Sequence, residues 1–459
     1  MPVHNAVRCT QAFLESLRET TADDAARVIV VDNGSTDETA VLLAQQRHLH
    51  VIRNQMNRGF AAAVNQGLAE ATSELVCVVN NDVVFTPGWL ERLTAHLDAA
   101  QPARAIVVPS TNFAAGTQRV EVGAYRDVAE MRQRARQFTD RYAGQVEDVS
   151  FVVGLCLLAP RSTFQAIGAL DERFGIGNYE DNDFCVRARR LGCRLLVARD
   201  VFLHHEGSQT FKAMGVDYAA LMEENRQIFL RKWGADPVLN AIARSRLGQP
   251  REAMVALAAA HDVAPACPDV LLHFAIASQA AGQWRESIEW VDRFLALCPR
   301  SKDALLVKAH ALLSTRCPDQ ALQVLQEVER RFYLAPAGRR EVLHTMATIC
   351  RGRGHRGDAV RLLKLAAATG AATPQLYLDL VETAAATGDQ TTYAEAVATV
   401  AQVDESNVAL QLEAGHAWRL AGHHASARAC YERALLLDPG SAEAQAALRQ
   451  MGATPALTK

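Results

Sequence analysis

Through Gly234 the chain alternates short apolar runs with longer amphipathic stretches. VIVV (28–31) precedes a helical pattern near 37–47, HVI (50–52) one near 60–71, and LVCVV (75–79) one near 87–99; AIVVP (105–109) follows. Strand-length runs separated by helix-length segments predict a largely parallel sheet covered by helices. Ser35-x-x-Glu38 reads as a capping box for the first of these helices. Thr86-Pro87 reads as an N-cap followed by proline at the first helical position.

From about Pro237 the pattern becomes almost continuous helix, rich in Ala and Leu. A spacing of 34 residues relates Gly248 to Gly282, Ala253 to Ser287 and Ala321, and Pro265 to Pro299. AGHHASARACYERALLLDPGSAEA and AGQWRESIEWVDRFLALCPRSKDA share one layout. Small residues let two helices approach closely, and the proline ends the second. Over roughly 238–451 this resembles the tetratricopeptide repeat family, with five or six helical pairs expected and the copies between 317 and 400 drifting from the pattern. The expected division is a first domain at 1–235, repeats at 238–451 and a tail at 452–459.

Composition narrows the function. At 459 residues, 49% hydrophobic and 22% charged, the chain is globular and too long for one ordinary domain. Lys+Arg 48 against Asp+Glu 51 leaves a net charge of -3, which argues against a nucleic-acid binder working by bulk charge. The ten cysteines are scattered without a C-x-x-C pair, which argues against a zinc site or a disulfide framework and for a reducing compartment. No 18-residue apolar stretch occurs, and MPVHNAVRCT lacks the basic and apolar regions of a signal peptide. The expectation is a soluble cytoplasmic protein, free or peripheral at the inner face of the membrane.

The chemistry gathers where strands end. VIVVDNGSTDET ends its run at Asp32, LVCVVNNDV at Asp82, and VFLHHEGS at His204 and His205, while NYEDND sets Glu180, Asp181 and Asp183 before a helix. In an open α/β sheet ligands bind outside the carboxyl ends of the strands. Carboxylates and imidazoles collected there suit a divalent metal, a nucleotide and a base in one cleft. Asp32 also fits a turn aspartate around Asn33-Gly34, and the acids of NYEDND also fit a capped helix start. Side-chain alternation sends His204 and His205 to opposite faces, so only one reaches a cleft.

In this order, PVHNA, VVDNGSTDET, NRGFAAAVNQG, NNDVVFTPGWL, GLCLLAPRSTFQAIGALDERFG, YEDNDFCVRARRLG and HHEGSQTF resemble the inverting glycosyltransferases of family two over residues 1 to about 234. The resemblance implies a GT-A fold, Rossmann-like with a mostly parallel sheet, ahead of the all-α tetratricopeptide-repeat solenoid. It implies transfer of a sugar from a nucleotide diphosphate, UDP or dTDP, to a glycan, lipid-linked glycan or protein acceptor, with a bound Mn²⁺ or Mg²⁺. On this pattern Asp32 contacts the base, and Asn57, Arg58 and Gly59 meet the nucleotide. Asn80-Asn81-Asp82 stands at the D-x-D metal motif, with Asp82 the ligand and Asn80 and Asn81 orienting ribose or water. A histidine completes the metal site, His204 being favoured over His205. Asp181 is the general base, Glu180 places the acceptor, and Asp171 and Glu172 line the acceptor side. Gly154-Leu-Cys156 supports the site, with Cys156 buried.

The chain departs from that family at its start. Members begin with about five apolar residues before P-V-x-N, whereas this sequence opens at Met1-Pro2-Val3. The expectation is an unpaired sheet edge and an incomplete pocket, arising from a start that lies upstream or from a crippled form. A scaffold whose repeats do the work beside an inactive domain is the alternative. A nucleotidyltransferase would carry a glycine-rich basic phosphate loop, and none is seen. The repeats are expected to bind a protein partner or a second copy.

Overall fold

Side chains of β6 (Ala105–Thr111) alternate between two cores, and this organises the N-terminal half. Ala105 and Val107 pack with Phe13 of α1 (Val7–Thr20) and Leu93 and Leu97 of α4 (Trp89–Asp98). Ile106 and Val108 pack with Val64 of α3 (Phe60–Glu70), Phe164 of α6 (Arg161–Ile167) and Phe184 of α7 (Glu180–Arg190). The structure is a computed structural model and describes residues 1–22, 25–101, 103–207, 216–247, 249–265, 267–370 and 373–452.

β1 (Pro2–Val3), β2 (Ile29–Asp32) and β3 (His50–Arg53) form a parallel sheet in that order. A second sheet runs β4 (Leu75–Val79), β8 (Cys156–Pro160), β6, β9 (Arg194–His205) and β5 (Val83–Val84), with β7 (Val146–Val149) also on β9. Among the described residues only β6 and β9 pair in parallel there; β8 opposes β4 and β6, and β5 and β7 oppose β9. The sheet is therefore mixed where apolar alternation predicts a largely parallel one. Periodicity marks a strand but not its direction.

β4 pairs with β8 on one side, and its other flank faces a cavity of about 510 Å³ lined by Val28, Ile29, Val64, Leu68 and Trp89. The Met1 ammonium lies at this cavity and donates to the Ile29 carbonyl at 2.9 Å, its pKa lowered to about 6 by burial.

Two expected helix starts shift. Ser35 does not cap α2 (Thr39–Ala44): its Oγ accepts the Asn5 N–H at 2.9 Å, and Asp37 receives the Thr39 N–H at 3.0 Å instead. Thr86 donates to the Phe202 carbonyl at 2.6 Å, and α4 begins beyond it at Trp89 with Gly88 as its N-cap.

Beyond α5 (Val128–Arg141) and α7 lies α8 (Tyr218–Trp233), and then helix follows helix. These are α9 (Pro237–Arg246), α10 (Pro250–Val263), α11 (Pro268–Ala280), α12 (Trp284–Leu297), α13 (Lys302–Ser314) and α14 (Pro318–Arg331). After them come α15 (Pro336–Gly352), α16 (Arg356–Ala367), α17 (Pro374–Ala385), α18 (Gln390–Val403), α19 (Val408–Leu420), α20 (His424–Leu437) and α21 (Ala442–Gly452). From α11 every second helix begins at 268, 302, 336, 374, 408 and 442. The spacing is 34 residues except across α15, where it is 38. α15 has 17 residues against 13 in α11 and α13, so about one extra helical turn accounts for the drift in the middle copies. Ala253, Ser287 and Ala321, the small positions of the repeat, are fully buried. Gly282 turns α11 into α12 at φ 76°, while Gly248 and the tail from 453 lie outside the described residues.

Two compact units result: Met1–Val324 with Arg331–Tyr333, and Leu325–Arg330 with Leu334–Lys459. The first therefore holds the sheets and the earlier helical hairpins. Among the described residues no helix is long and apolar enough to cross a membrane.

Candidate active site

A cavity of about 430 Å³ opens where β4 and β9 end. Of the residues singled out in the sequence, Asn57, Asn80, Asn81, Asp82, Glu180, Asp181 and His205 line it. Asp82 is 7% exposed, and its Oδ1 lies 3.2 Å from His205 Nε2 without hydrogen-bonding geometry, so that this buried oxygen has no hydrogen-bond partner. Asn80 Oδ1 is likewise buried without one. His205 Nδ1 meets the Phe113 carbonyl at 2.8 Å, which leaves Nε2 as the nitrogen turned to Asp82. Burial pushes this imidazole down, but Asp82 and the Phe113 carbonyl outweigh burial and raise its pKa.

His204, which the sequence reading favours, faces away from Asp82. Its Nδ1 lies 2.6 Å from the Tyr125 hydroxyl and its Nε2 3.2 Å from Glu206. The pairing of β5 with β9 decides this: Val83 stands opposite His205, which brings that histidine beside Asp82. Among the described residues no group of three or more His, Cys, Asp or Glu side chains is gathered for a metal. An unpartnered carboxylate oxygen, an imidazole nitrogen and an unpartnered amide oxygen on one cavity nevertheless suit a divalent cation that completes its shell with ligand oxygens.

Glu180 and Asp181 open α7. Glu180 is 6% exposed with Oε2 unpartnered, and burial together with the neighbouring Asp181 raises its pKa to about 8. Burial raises Asp181 too, although its Oδ1 accepts the Asn182 N–H at 2.8 Å and its Oδ2 the Gly154 N–H at 3.4 Å. Asp183 points elsewhere, to Trp233 Nε1 at 2.8 Å and Arg187 Nε at 2.9 Å. Cys156 is buried in β8, its sulfur 3.7 Å from that of Cys77.

Gly154 also lines the cavity, whereas Asp32, Arg58, Gly59, Asp171 and Glu172 lie off it. Asp32, 1% exposed, accepts the Ser35 N–H at 2.9 Å and stands 3.5 Å from Arg53. Arg58 is exposed, and its N–H donates to Asn33 Oδ1 at 3.0 Å. Gly59, at φ 92°, lies against the loop before α7 so closely that a Cβ would sit 2.1 Å from the Gly175 carbonyl oxygen. Asp171 is held well below the usual carboxylate range by Arg173, with Lys232 at 2.7 Å, and Glu172 accepts from Asn65 at 2.9 Å. Neither lines the cavity.

Sequence reasoning missed several other residues of the cavity wall. Asn33 binds Asn57 Oδ1 at 2.8 Å and the Gly59 carbonyl at 3.0 Å through Nδ2. His4 Nδ1 lies 3.0 Å from the Asn33 carbonyl, and both residues line the cavity. Phe60, Phe151, Tyr218 and Met222 supply apolar wall. Tyr218 and Met222 stand four apart on α8, a one-face spacing visible in the sequence.

In class, the N-terminal half is an α/β domain with its polar cavity at strand ends, and it continues into an array of paired helices. Residues 1–168 match the model of the family described as Glycosyl transferase family 2, and paired helices at a largely 34-residue spacing follow from α11 onward. A relative named pre-mycofactocin glycosyltransferase, from Mycobacterium tuberculosis, is 30% identical over 210 residues, 44% of this chain and 42% of the relative. The chain thus spans under half the length of that relative. The N-acetylglucosaminyl-diphospho-decaprenol L-rhamnosyltransferase of the same species is 28% identical over 230 residues, 44% of this chain and 73% of that one. Among solved structures, GalNAc-T7 with UDP, GalNAc and Mn²⁺ aligns over 44% of this chain and 42% of its own, at 15% identity and a TM-score of 0.36. YrrB, a TPR protein with an unusual peptide-binding site, aligns over 42% and 97% at 13% identity and a TM-score of 0.29.

Proposed function

We propose that this chain is an inverting, metal-dependent glycosyltransferase that uses a UDP- or dTDP-sugar as donor and a glycan, lipid-linked glycan or protein as acceptor. The observation that carries this is one cavity lined both by Asp82 with His205 and by the Glu180–Asp181 pair. Asp82 and His205 would hold Mn²⁺ or Mg²⁺, with Asn80 beside them; when bound, the cation offsets the charge that develops on the departing diphosphate. Asn57, Asn80 and Asn81 bind the donor nucleotide, with Asp32, Asn33 and Gly59 shaping the wall behind Asn57 and the exposed Arg58 available to the diphosphate.

The acceptor oxygen attacks the anomeric carbon on the face opposite the diphosphate. The new carbon–oxygen bond forms as the bond from that carbon to the phosphate oxygen breaks. Asp181 takes the acceptor proton at its carboxylate. Glu180 retains its proton near neutral pH, as its raised pKa of about 8 implies, and donates a hydrogen bond that places the acceptor. Phe151, Tyr218 and Met222 exclude water from that side.

The repeats are taken to recruit a protein partner or a second copy, and the site of action is the cytoplasm or the inner face of the membrane. The groups that meet donor and acceptor lie within 1–235, and the repeats over 238–451 supply the recruiting surface. The test is a panel of UDP- and dTDP-sugars with Mn²⁺ or Mg²⁺, scoring nucleotide release and the anomeric configuration of the product by NMR. Metal-dependent release with an inverted anomer is expected. A product with retained configuration, or no release with any donor, would overturn the reading.

A further inference from the structure

The loop that presents Glu180 and Asp181 is held in an unusual backbone conformation from outside the cavity. Asn178 and Tyr179 have φ of 74° and 72°, a region that residues with a side chain rarely adopt. Such a conformation persists only where the surroundings over-determine it. Here the surroundings are Asn225 of α8, 2% exposed. Its Nδ2 donates to the carbonyls of Phe174, Gly177 and Asn178 at 2.9, 2.7 and 3.0 Å. Three acceptors share two hydrogens, so the amide clasps the loop rather than touching it at one point.

The other end of α7 is fixed from the helical hairpins. Arg189, 2% exposed, sets Nε 3.2 Å from both oxygens of Asp269 and Nη2 2.7 Å from Oδ1. Asp269 lies in the first turn of α11. A forked guanidinium–carboxylate pair fixes orientation as well as distance. Two further buried carboxylates tie the same hairpins to the sheet. Asp148 of β7 receives Arg194 at 2.7 Å and the Arg300 N–H at 2.9 Å, and Glu147 lies between Arg199 and Lys302. α7 is only 11 residues long, about 16 Å, so a rigid rod of that length carries a rotation at Arg189 through to Asp181.

We infer that Asn225 and Asp269 are positioning residues for the Glu180–Asp181 pair, so that the catalytic unit extends past residue 235 into the first helical hairpins. Neither residue lines the cavity; each acts through α7 and its loop. The inference rests on the proposed role of that pair.

The test compares full-length Asp269→Asn, Asn225→Ala and the control Asp292→Asn, whose carboxylate pairs with Lys308 at an exposed site. Readouts are UDP affinity in the presence of Mn²⁺, kcat, and amide hydrogen exchange across 175–182. In Asp269→Asn and Asn225→Ala, UDP affinity should stay within about twofold while kcat falls at least about tenfold and exchange across 175–182 quickens, since the cavity's donor side is untouched. The control should move none of the three. Unchanged exchange and kcat in both variants would overturn the inference, as would a loss of UDP affinity in proportion to kcat. The exchange readout needs no turnover, so an inactive wild-type chain defeats the proposed function while exchange still decides the positioning.

Discussion

Glu180 and Asp181 are neighbours in sequence and differ in what their oxygens meet. Asp181 accepts two backbone N–H groups, whereas Glu180 Oε2 is buried without a partner. A carboxyl whose pKa is raised on folding binds its proton more strongly in the native chain. Stability therefore falls as pH rises from about 4.5 towards about 8. Glu180→Gln should remove this slope: closest to wild type near pH 5 and the more stable of the two at pH 8.5, read from urea melts at the two pH values. The histidines separate just as clearly. His205→Ala should weaken Mn²⁺ activation at least about tenfold in a metal titration, while His204→Ala should leave it within about twofold. The placement of Asp82, Asn80, Glu180 and Asp181 on one cavity was legible because apolar runs end on them or a helix begins with them. The choice between His204 and His205 was not, because it depends on Val83 standing opposite His205. Asp171 lies off the cavity, and its partner Lys232, 61 residues further along, is likewise beyond any local pattern. Asn33 and Asn225 gave no signal, because an amide that bonds loop carbonyls has no periodicity.

Helices and strands were read well where a face is buried and poorly where direction or register matters. The 34-residue period predicted the paired helices, and the one extra turn in α15 explains why the middle copies drifted. The sheet is mixed where a largely parallel one was expected, because apolar alternation marks a strand but not its direction. Ser35-x-x-Glu38 matched a capping box, yet Asn5 from another segment takes the serine. The loops around the cavity pack backbone against backbone, with Phe60 N donating to the Gly175 carbonyl at 3.2 Å. Gly59→Ala should therefore destabilise by roughly 2–4 kcal/mol, through both its positive φ and the collision with Gly175. The shift in urea midpoint measures it, and donor affinity should fall with it.

At the scale of the molecule, the sequence changes character near Pro237, whereas the compact units divide near Leu325. The ion pairs of Arg189 with Asp269 and of Glu147 with Lys302 join residues too far apart in sequence for any local pattern to reveal. The second unit should behave as its own cooperative block. Leu380→Ala, in the buried face of α17, should cost about 2–5 kcal/mol. It should lower one thermal transition in calorimetry while leaving nucleotide release unchanged. The central claim is that Asp181 takes a proton beside a metal-bound donor. Its most direct test is Asp181→Asn in the full chain, comparing turnover of the preferred nucleotide sugar with the affinity for UDP and Mn²⁺. The account predicts that affinity stays within about twofold while kcat falls by about 10³ or more. Turnover that survives within about tenfold in a variant that still binds UDP and Mn²⁺ would contradict it.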